Sequence, residues 1–173
     1  MLQRFALVSM IAAFATLFGC ASMNGPQATA TLQPTTGNTA SGSVKFTASG
    51  SRVAVSGEVR GLKPNAEHGF HVHEKGDCNS PDGMSAGGHF NPDTKPHGRH
   101  GAGAQHAGDL QSLKADANGV AKFAYDTDRL AVGSGTNDVL GRALIVHRDP
   151  DDFTTQPTGN SGARIACAVI SKS

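Results

Sequence analysis

Two histidines separated by one residue, His71 and His73, lie in the segment GFHVHEKGDC, which spans residues 69–78. Successive side chains of a β-strand point to opposite faces, so the two imidazoles would share one face and Phe70 and Val72 the other. Imidazole is a good ligand for copper and for zinc. A single histidine is more often a hydrogen-bonded structural residue, but a pair at this spacing ahead of a histidine-rich loop favours a metal site.

Further metal-binding side chains follow along the chain. His147 ends an apolar segment in which Leu144 and Val146 would face the core. The loop donors are His89, His97, His100, His106 and Asp109. These side chains could divide into an all-imidazole site, which suits a redox copper, and a mixed site with one carboxylate, which suits a structural zinc. No HExxH motif accompanies them, so an open hydrolytic zinc site is not favoured.

The segments that must position these donors predict an all-β fold in one domain of 173 residues. Glycine is abundant, at 22 residues, and charged residues make up only 17% of the chain, which is typical of short strands joined by turns. Period-two alternation predicts half-buried antiparallel strands at 43–48, 52–60, 119–125, 142–148 and 163–170. The irregular segments 79–107 and 149–162 are predicted to be two long functional loops.

The N-terminus has the features of an export signal. Arg4 precedes an apolar run, residues 5–18, that is too short for a comfortable membrane span. Leu17-Phe18-Gly19-Cys20 then resembles a bacterial lipobox, although a small residue is more usual at the position of Phe18. We predict a lipoprotein-type signal peptide over residues 1–19, lipidation of Cys20, a tether over 20–27 and a folded domain over 28–173. The alternative is an ordinary secretory signal with an incidental cysteine.

Either signal predicts an exported, periplasmic protein, and a lipidated Cys20 would anchor it to the membrane. Export permits disulfides. If Cys20 carries lipid, Cys78 and Cys167 remain, and one disulfide between them is the simplest outcome, with two free buried thiols as the alternative. The net charge is +1 and the chain has no basic run, so nothing favours nucleic-acid binding.

Taken together, the order and spacing of five segments resemble the copper/zinc superoxide dismutase family. The segments are GFHVHEKGDC, GGHFNP at 87–92, HAGDL at 106–110, VHRDPDD at 146–152 and GNSGARIACAVI at 159–170. The resemblance extends over about residues 28–173. It implies an antiparallel Greek-key β-barrel, an immunoglobulin-like sandwich, with the metal site on its outer wall.

The resemblance also implies a ligand set with one copper and one zinc per subunit. The copper ligands would be His71, His73, His89 and His147, and the zinc ligands would be His89, His97, His106 and Asp109. His89 would bridge the two metals. His100 competes for the zinc site but fits the family spacing less well, and His68 matches a structural histidine.

Four more residues acquire roles by resemblance. Asp151 would link a copper histidine to a zinc histidine, although a solvated loop carboxylate is the alternative. Arg164 would lie beside the copper and dock an anion, where the alternative is an ordinary surface arginine. Cys78 and Cys167 match the family's disulfide within the subunit.

The implied reaction is disproportionation of superoxide to oxygen and hydrogen peroxide by a redox-cycling copper, with His89 and Arg164 as catalytic residues. The biological role would be antioxidant defence in the cell envelope. The competing hypothesis is a non-catalytic copper- and zinc-binding lipoprotein. A homodimer and a monomer are both compatible with the sequence.

Overall fold

The computed structural model describes residues 25–173. The predicted signal peptide, residues 1–19, and the predicted lipidation site Cys20 lie outside the described residues. Only the end of the predicted tether, from Gly25, is described. There the Gly25 N–H donates to the Ala48 carbonyl, and the first strand begins at Gln27. Between residues 25 and 173, no helix has the length and apolar character needed to cross a membrane.

The described chain consists of antiparallel β-strands joined by turns and two long loops. The strands are β1 (Gln27–Pro34), β2 (Ser41–Ser49), β3 (Arg52–Arg60), β4 (Glu67–His68), β5 (Phe70–His73), β6 (Leu113–Lys114), β7 (Ala121–Thr127), β8 (Ala143–His147), β9 (Arg164–Val169) and β10 (Ser171–Lys172). A single 3-10 turn over Met84–Ala86 is the only helical element in this part of the chain. The all-β prediction and the two long loops are confirmed.

The main sheet has the strand order β5-β8-β9-β1-β2-β3-β7, with β10 also paired to β1. It curls because β1 is shared: Gln27–Leu32 pair with β2, whereas Gln33 and Pro34 pair with β9. Several neighbours in the sheet are distant in sequence, such as β3 with β7 and β5 with β8. This curled antiparallel arrangement is consistent with the predicted barrel.

The alternating pattern of each strand explains which side chains form the hydrophobic core inside the curled sheet. On β3, Val53, Val55 and Val59 are buried together, as the sequence pattern predicts. On β8, Leu144 and Val146 join the same core. Full burial of an aliphatic side chain is worth about 1.5–3 kcal/mol, so these alternating positions fix the register of the strands.

The free edge of β5 is covered by loop backbone. The Val72 N–H donates to the Gly108 carbonyl, and the Phe90 N–H donates to the Val72 carbonyl. The Glu74 N–H donates to the Gly88 carbonyl in the same way. Because two stretches of the first long loop lie along this strand, all four residues of β5 are buried, including the two histidines that alternation directs away from the core.

Candidate metal centre

Seven metal-binding side chains converge on the outer side of β5 and β8. Strand β5 supplies His71 and His73, and β8 supplies His147 at its last position. The remaining donors come from the loop along the edge of β5, because His89 pairs with His73 and Asp109 pairs with His71 in isolated β-bridges. The loop donors are His89, His97, His106 and Asp109. All seven side chains are buried.

The first group of donors contains His71, His73, His89 and His147, whose ligand nitrogens all lie within 4.8 Å of one another. In three of these rings one nitrogen must carry a proton, because it contacts an oxygen that can only accept a hydrogen bond. Nδ1–H of His73 donates to the Gly87 carbonyl at 2.9 Å, and Nδ1–H of His147 donates to the Gly162 carbonyl at 3.1 Å. Nε2–H of His71 donates to the Asp151 carboxylate at 2.7 Å. In a neutral ring the opposite nitrogen then carries a lone pair.

The environment keeps the rings of His73, His89 and His147 neutral. Burial lowers the pKa of His73 and of His147 well below the ordinary histidine value. Burial also lowers the pKa of His89 to about 4, although hydrogen bonding to Asp109 opposes that shift. Neutral imidazole is the form that binds a metal.

The lone-pair nitrogens of this group lack hydrogen-bond partners among the described residues. They are Nδ1 of His71 and Nε2 of His73, His89 and His147. A buried polar atom without a partner is costly, and four of them facing one another are satisfied together by a single cation. The donor set therefore fits a copper ion with all-nitrogen ligands.

The second group is built around one carboxylate oxygen, Oδ1 of Asp109. Nδ1 of His89 lies 3.0 Å from this oxygen, Nδ1 of His97 lies 3.1 Å from it, and Nδ1 of His106 lies 3.3 Å from it. His71, His89, His97 and Asp109 also approach within 4.8 Å of one another. His71 is the weaker choice of fourth ligand because its Nε2 is occupied by Asp151. Three Nδ1 atoms and one carboxylate match a closed structural zinc site.

The charges of this second group call for a cation. Burial lowers the pKa of His97, but Asp109 and Asp151 outweigh it and raise that pKa to about 9. Burial likewise opposes ionisation of Asp109, yet hydrogen bonds from His106, His89 and His97 hold its pKa well below the usual range. Because His97 donates through Nε2 to Asp151, its Nδ1 can face the Asp109 oxygen only with a proton or a metal ion between them.

His89 is the residue common to both groups. Its Nδ1 faces Asp109 at 3.0 Å and lies 3.4 Å from Nδ1 of His106. Its Nε2 is one of the four buried nitrogens of the first group that have no partner among the described residues. One ring with its two nitrogens directed at different groups is the placement that a bridging ligand requires, and the bridging role remains a prediction.

Asp151 connects the two groups by accepting a hydrogen bond from one histidine of each. Its Oδ2 accepts from Nε2 of His71 at 2.7 Å, and its Oδ1 accepts from Nε2 of His97 at 2.8 Å. The Phe153 N–H also donates to Oδ1. Asp151 is buried rather than solvated, and it sets the tautomer of one histidine in each group.

Arg164, at the start of β9, is held by the loop that follows β5. Its Nη1 donates to the Gly83 carbonyl at 2.7 Å, and its Nη2 donates to the Gly87 carbonyl at 2.6 Å. Burial lowers the pKa of its guanidinium below the usual value, with Asp82 opposing the shift, and the side chain remains charged at neutral pH. The guanidinium is half-buried and fixed, unlike that of an ordinary surface arginine.

The predicted disulfide between Cys78 and Cys167 is present, with the two Cα atoms 5.8 Å apart. Both cysteines pack in a small second cluster with Ala86 and Ile145 on the side of β8 opposite the main core. The bond ties the loop that contains Gly83 and Gly87 to the strand that contains Arg164.

The remaining histidines lie outside both groups. Nδ1–H of His100 donates to the Asp109 carbonyl at 3.0 Å, and its ring packs against Tyr125. Nδ1–H of His68 donates to the His147 carbonyl at 2.9 Å.

Three contributors to the site were not found from the sequence. The Glu74 side chain accepts from the Gly88 N–H, next to His89. Gly159 lies so close to the second group that a Cβ there would clash with Nε2 of His97. Gln156 contacts the backbone of His97. No motif marks such contacts, because each joins segments that are distant in sequence.

Comparison with known proteins agrees with this geometry. The family model for copper/zinc superoxide dismutase (SODC) matches residues 40–170. A Superoxide dismutase [Cu-Zn] of Deinococcus radiodurans is 37% identical over 183 aligned positions, covering 98% of each chain. The protein of the same name from Paramecium bursaria Chlorella virus 1 is 44% identical over 136 residues, covering 75% of this chain and 71% of the relative. Superoxide dismutase [Cu-Zn] 2 of Aquifex aeolicus is 38% identical over 133 residues, covering 75% of this chain and 78% of the relative. The chain therefore belongs to the copper/zinc superoxide dismutase family, an oxidoreductase family whose cofactors are copper and zinc.

Proposed function

We propose that the protein removes superoxide in the cell envelope, with copper held by the first donor group and zinc by the second. The copper ligands are His71, His73, His89 and His147, and the zinc ligands are His89, His97, His106 and Asp109. The observation that carries the proposal is the set of four buried ring nitrogens without partners, beside a second group whose charges call for a cation.

The reaction converts two superoxide anions and two protons into one dioxygen and one hydrogen peroxide. When bound, copper supplies one-electron redox chemistry, whereas zinc keeps a single oxidation state and is structural. The protein then has to attract the anion, orient the ligands and deliver protons.

Arg164 performs the first task. A guanidinium with two of its N–H groups bonded to Gly83 and Gly87 keeps other donors free, and its fixed position offers a docking site for a small anion. Its positive charge also raises the rate at which anions reach the site, an effect that salt weakens.

His89 performs the last task. Its Nε2 faces the first group, while Asp109 and the second group hold the ring through Nδ1. A proton carried on Nε2 is delivered to the reduced oxygen species, and solvent supplies the other proton. Asp151 and the Gly87 and Gly162 carbonyls keep the other rings oriented during this transfer.

The proposed location rests on the sequence Leu17-Phe18-Gly19-Cys20 and the apolar run before it. Signal cleavage before Cys20 and lipidation of its thiol would anchor the enzyme in the envelope. Incorporation of labelled fatty acid in a bacterial host, compared with Cys20→Ser, tests this. Equal labelling of the two proteins would contradict the anchor.

The decisive test of the reaction is superoxide decay after pulse radiolysis, measured with protein whose copper and zinc contents have been determined. We expect decay proportional to the copper content and lost on removal of copper. If superoxide decays no faster with the fully metal-loaded protein than in buffer alone, the result would favour the non-catalytic metal-binding lipoprotein. The fixed Arg164 beside the first donor group favours catalysis over storage, because a storage site needs no anion dock.

A further inference from the structure

Gln156 and His97 are joined by two hydrogen bonds. The His97 N–H donates to Oε1 of Gln156 at 2.7 Å, and Nε2 of Gln156 donates to the His97 carbonyl at 2.9 Å. The residues are 59 positions apart and belong to different long loops. A carboxamide that pairs with both polar atoms of one residue replaces the pairing that a neighbouring strand would provide.

Within residues 25–173, no other hydrogen bond is made by the His97 peptide N–H or carbonyl. This residue lies in irregular backbone outside the strands. Since both backbone bonds end on one side chain, a single substitution removes them together, which would not be possible in a β-ladder.

The His97 ring is constrained by the same loop. Nε2–H of His97 donates to Asp151, and Gly159 packs so closely that a Cβ there would clash with Oδ1 of Asp151. Gln156 therefore fixes the backbone of His97 while Asp151 fixes its ring. With both constraints in place, Nδ1 of His97 is held toward Asp109 at 3.1 Å.

We propose that Gln156 is a positioning residue for the second donor group, the proposed zinc site, and that it acts through the backbone of His97. The inference rests on the assignment of His97 to zinc in the proposed function. Hydrogen-bond partners that orient a ligand commonly change metal affinity by about 10–100-fold when they are removed. We expect an effect of that size on zinc and a much smaller one on copper, because among the described residues the Gln156 side chain makes no hydrogen bond to His71, His73, His89 or His147.

The test uses the copper- and zinc-loaded protein and four variants. Gln156→Met removes both hydrogen bonds to His97, together with a longer one from Nε2 to the Thr154 carbonyl, and keeps a side chain of similar length. Gln156→Glu keeps the acceptor for the His97 N–H but replaces the donor that faces the His97 carbonyl. Thr158→Ala is the matched control, because Thr158 is an exposed neighbour without a side-chain hydrogen bond among the described residues. His97→Ala reports on the zinc assignment itself.

Three kinds of measurement are made: the rates of metal loss to a chelator for zinc and for copper, hydrogen exchange at the His97 amide, and the melting temperature. In Gln156→Met we expect zinc loss to be faster by about tenfold or more, with faster exchange at His97. In Gln156→Glu the His97 amide stays protected, but zinc loss is still faster. Thr158→Ala should match the parent protein in all three.

Three other outcomes would each contradict either the positioning role of Gln156 or the assignment of His97 to zinc. If Gln156→Met loses zinc within twofold of the parent rate while His97→Ala loses it rapidly, the positioning role is wrong. If Gln156→Met loses copper and zinc equally fast with a lowered melting temperature, Gln156 only supports the loop as a whole, which also overturns the inference. If His97→Ala retains zinc as the parent does, the zinc assignment in the proposed function is wrong instead.

Discussion

Arg164 and His73 donate hydrogen bonds to the same carbonyl oxygen, that of Gly87, at 2.6 Å and 2.9 Å. The residue proposed to dock the anion and one ligand of the copper group are thus held by one backbone atom. Any movement of that atom would displace both. The distance between the docked anion and the ligand group is therefore set by the loop between β5 and His89 rather than by flexible side chains.

Two substitutions of Arg164 should distinguish the effect of its positive charge on the reaction rate from the effect of its fixed position. Arg164→Lys keeps the positive charge but cannot reach both carbonyls in the same planar fashion, so we expect a several-fold slower reaction that still slows with added salt. Arg164→Glu should slow superoxide decay by about 10–100-fold at low ionic strength and reverse the sign of the salt dependence. Both variants should bind copper normally.

The matched control is Arg52→Glu at the start of β3, which makes the same change in net charge outside the site. Pulse radiolysis across a range of salt concentrations measures all three variants. If Arg164→Glu behaved like Arg52→Glu, Arg164 would have no role in attracting the anion.

Substitution of His89 should affect both metals at once. Its two nitrogens face the two donor groups, so His89→Ala would remove one proposed ligand from each. We expect an altered copper EPR spectrum and faster loss of zinc to a chelator. His100→Ala is the control, because His100 belongs to the same loop but to neither group. A copper spectrum unchanged by His89→Ala would exclude the bridging role.

Asp151→Asn should disturb the two groups through their histidine tautomers. Both carboxylate oxygens accept from imidazole N–H groups, on His71 and His97, whereas an asparagine presents an NH2 group to one of them. One histidine must then change tautomer or rotate, which costs metal affinity, by about 10–100-fold on general grounds. Chelator competition for copper and zinc measures this. The exposed neighbour Asp152 provides the control substitution Asp152→Asn, and equal affinities in both variants would show that Asp151 does not orient the ligands.

The sequence predicted the parts of the structure that depend on local pattern. Alternation located β3 and the core positions Val53 and Val55, and the family resemblance supplied the residues that gather around β5. The shared strand β1 was not predicted, because its division between β2 and β9 depends on how the whole sheet curls. Complete burial of His71 was not predicted either, since it comes from loop backbone lying along β5.

Contacts such as that between Gln156 and His97 could not be predicted from the sequence either. Neither residue lies in a regular element, and hydrogen bonds between loops leave no periodic signature. Their partners are decided by the packing of two irregular segments, which strand propensity does not describe.

Removal of the disulfide should lower both stability and turnover. The bond between Cys78 and Cys167 joins positions 89 residues apart, so its loss should reduce the free energy of unfolding by about 2–5 kcal/mol. The double substitution Cys78→Ser and Cys167→Ser also frees the segment whose Gly83 and Gly87 carbonyls hold Arg164. We therefore expect turnover per bound copper to fall, because the anion dock loses its fixed position even where copper remains. Denaturant titration measures the stability, and metal-normalised superoxide decay measures the turnover. Reductant should have the same effects on the parent protein and none on the double variant, whereas unchanged turnover per copper in both would mean that Arg164 keeps its position without the disulfide.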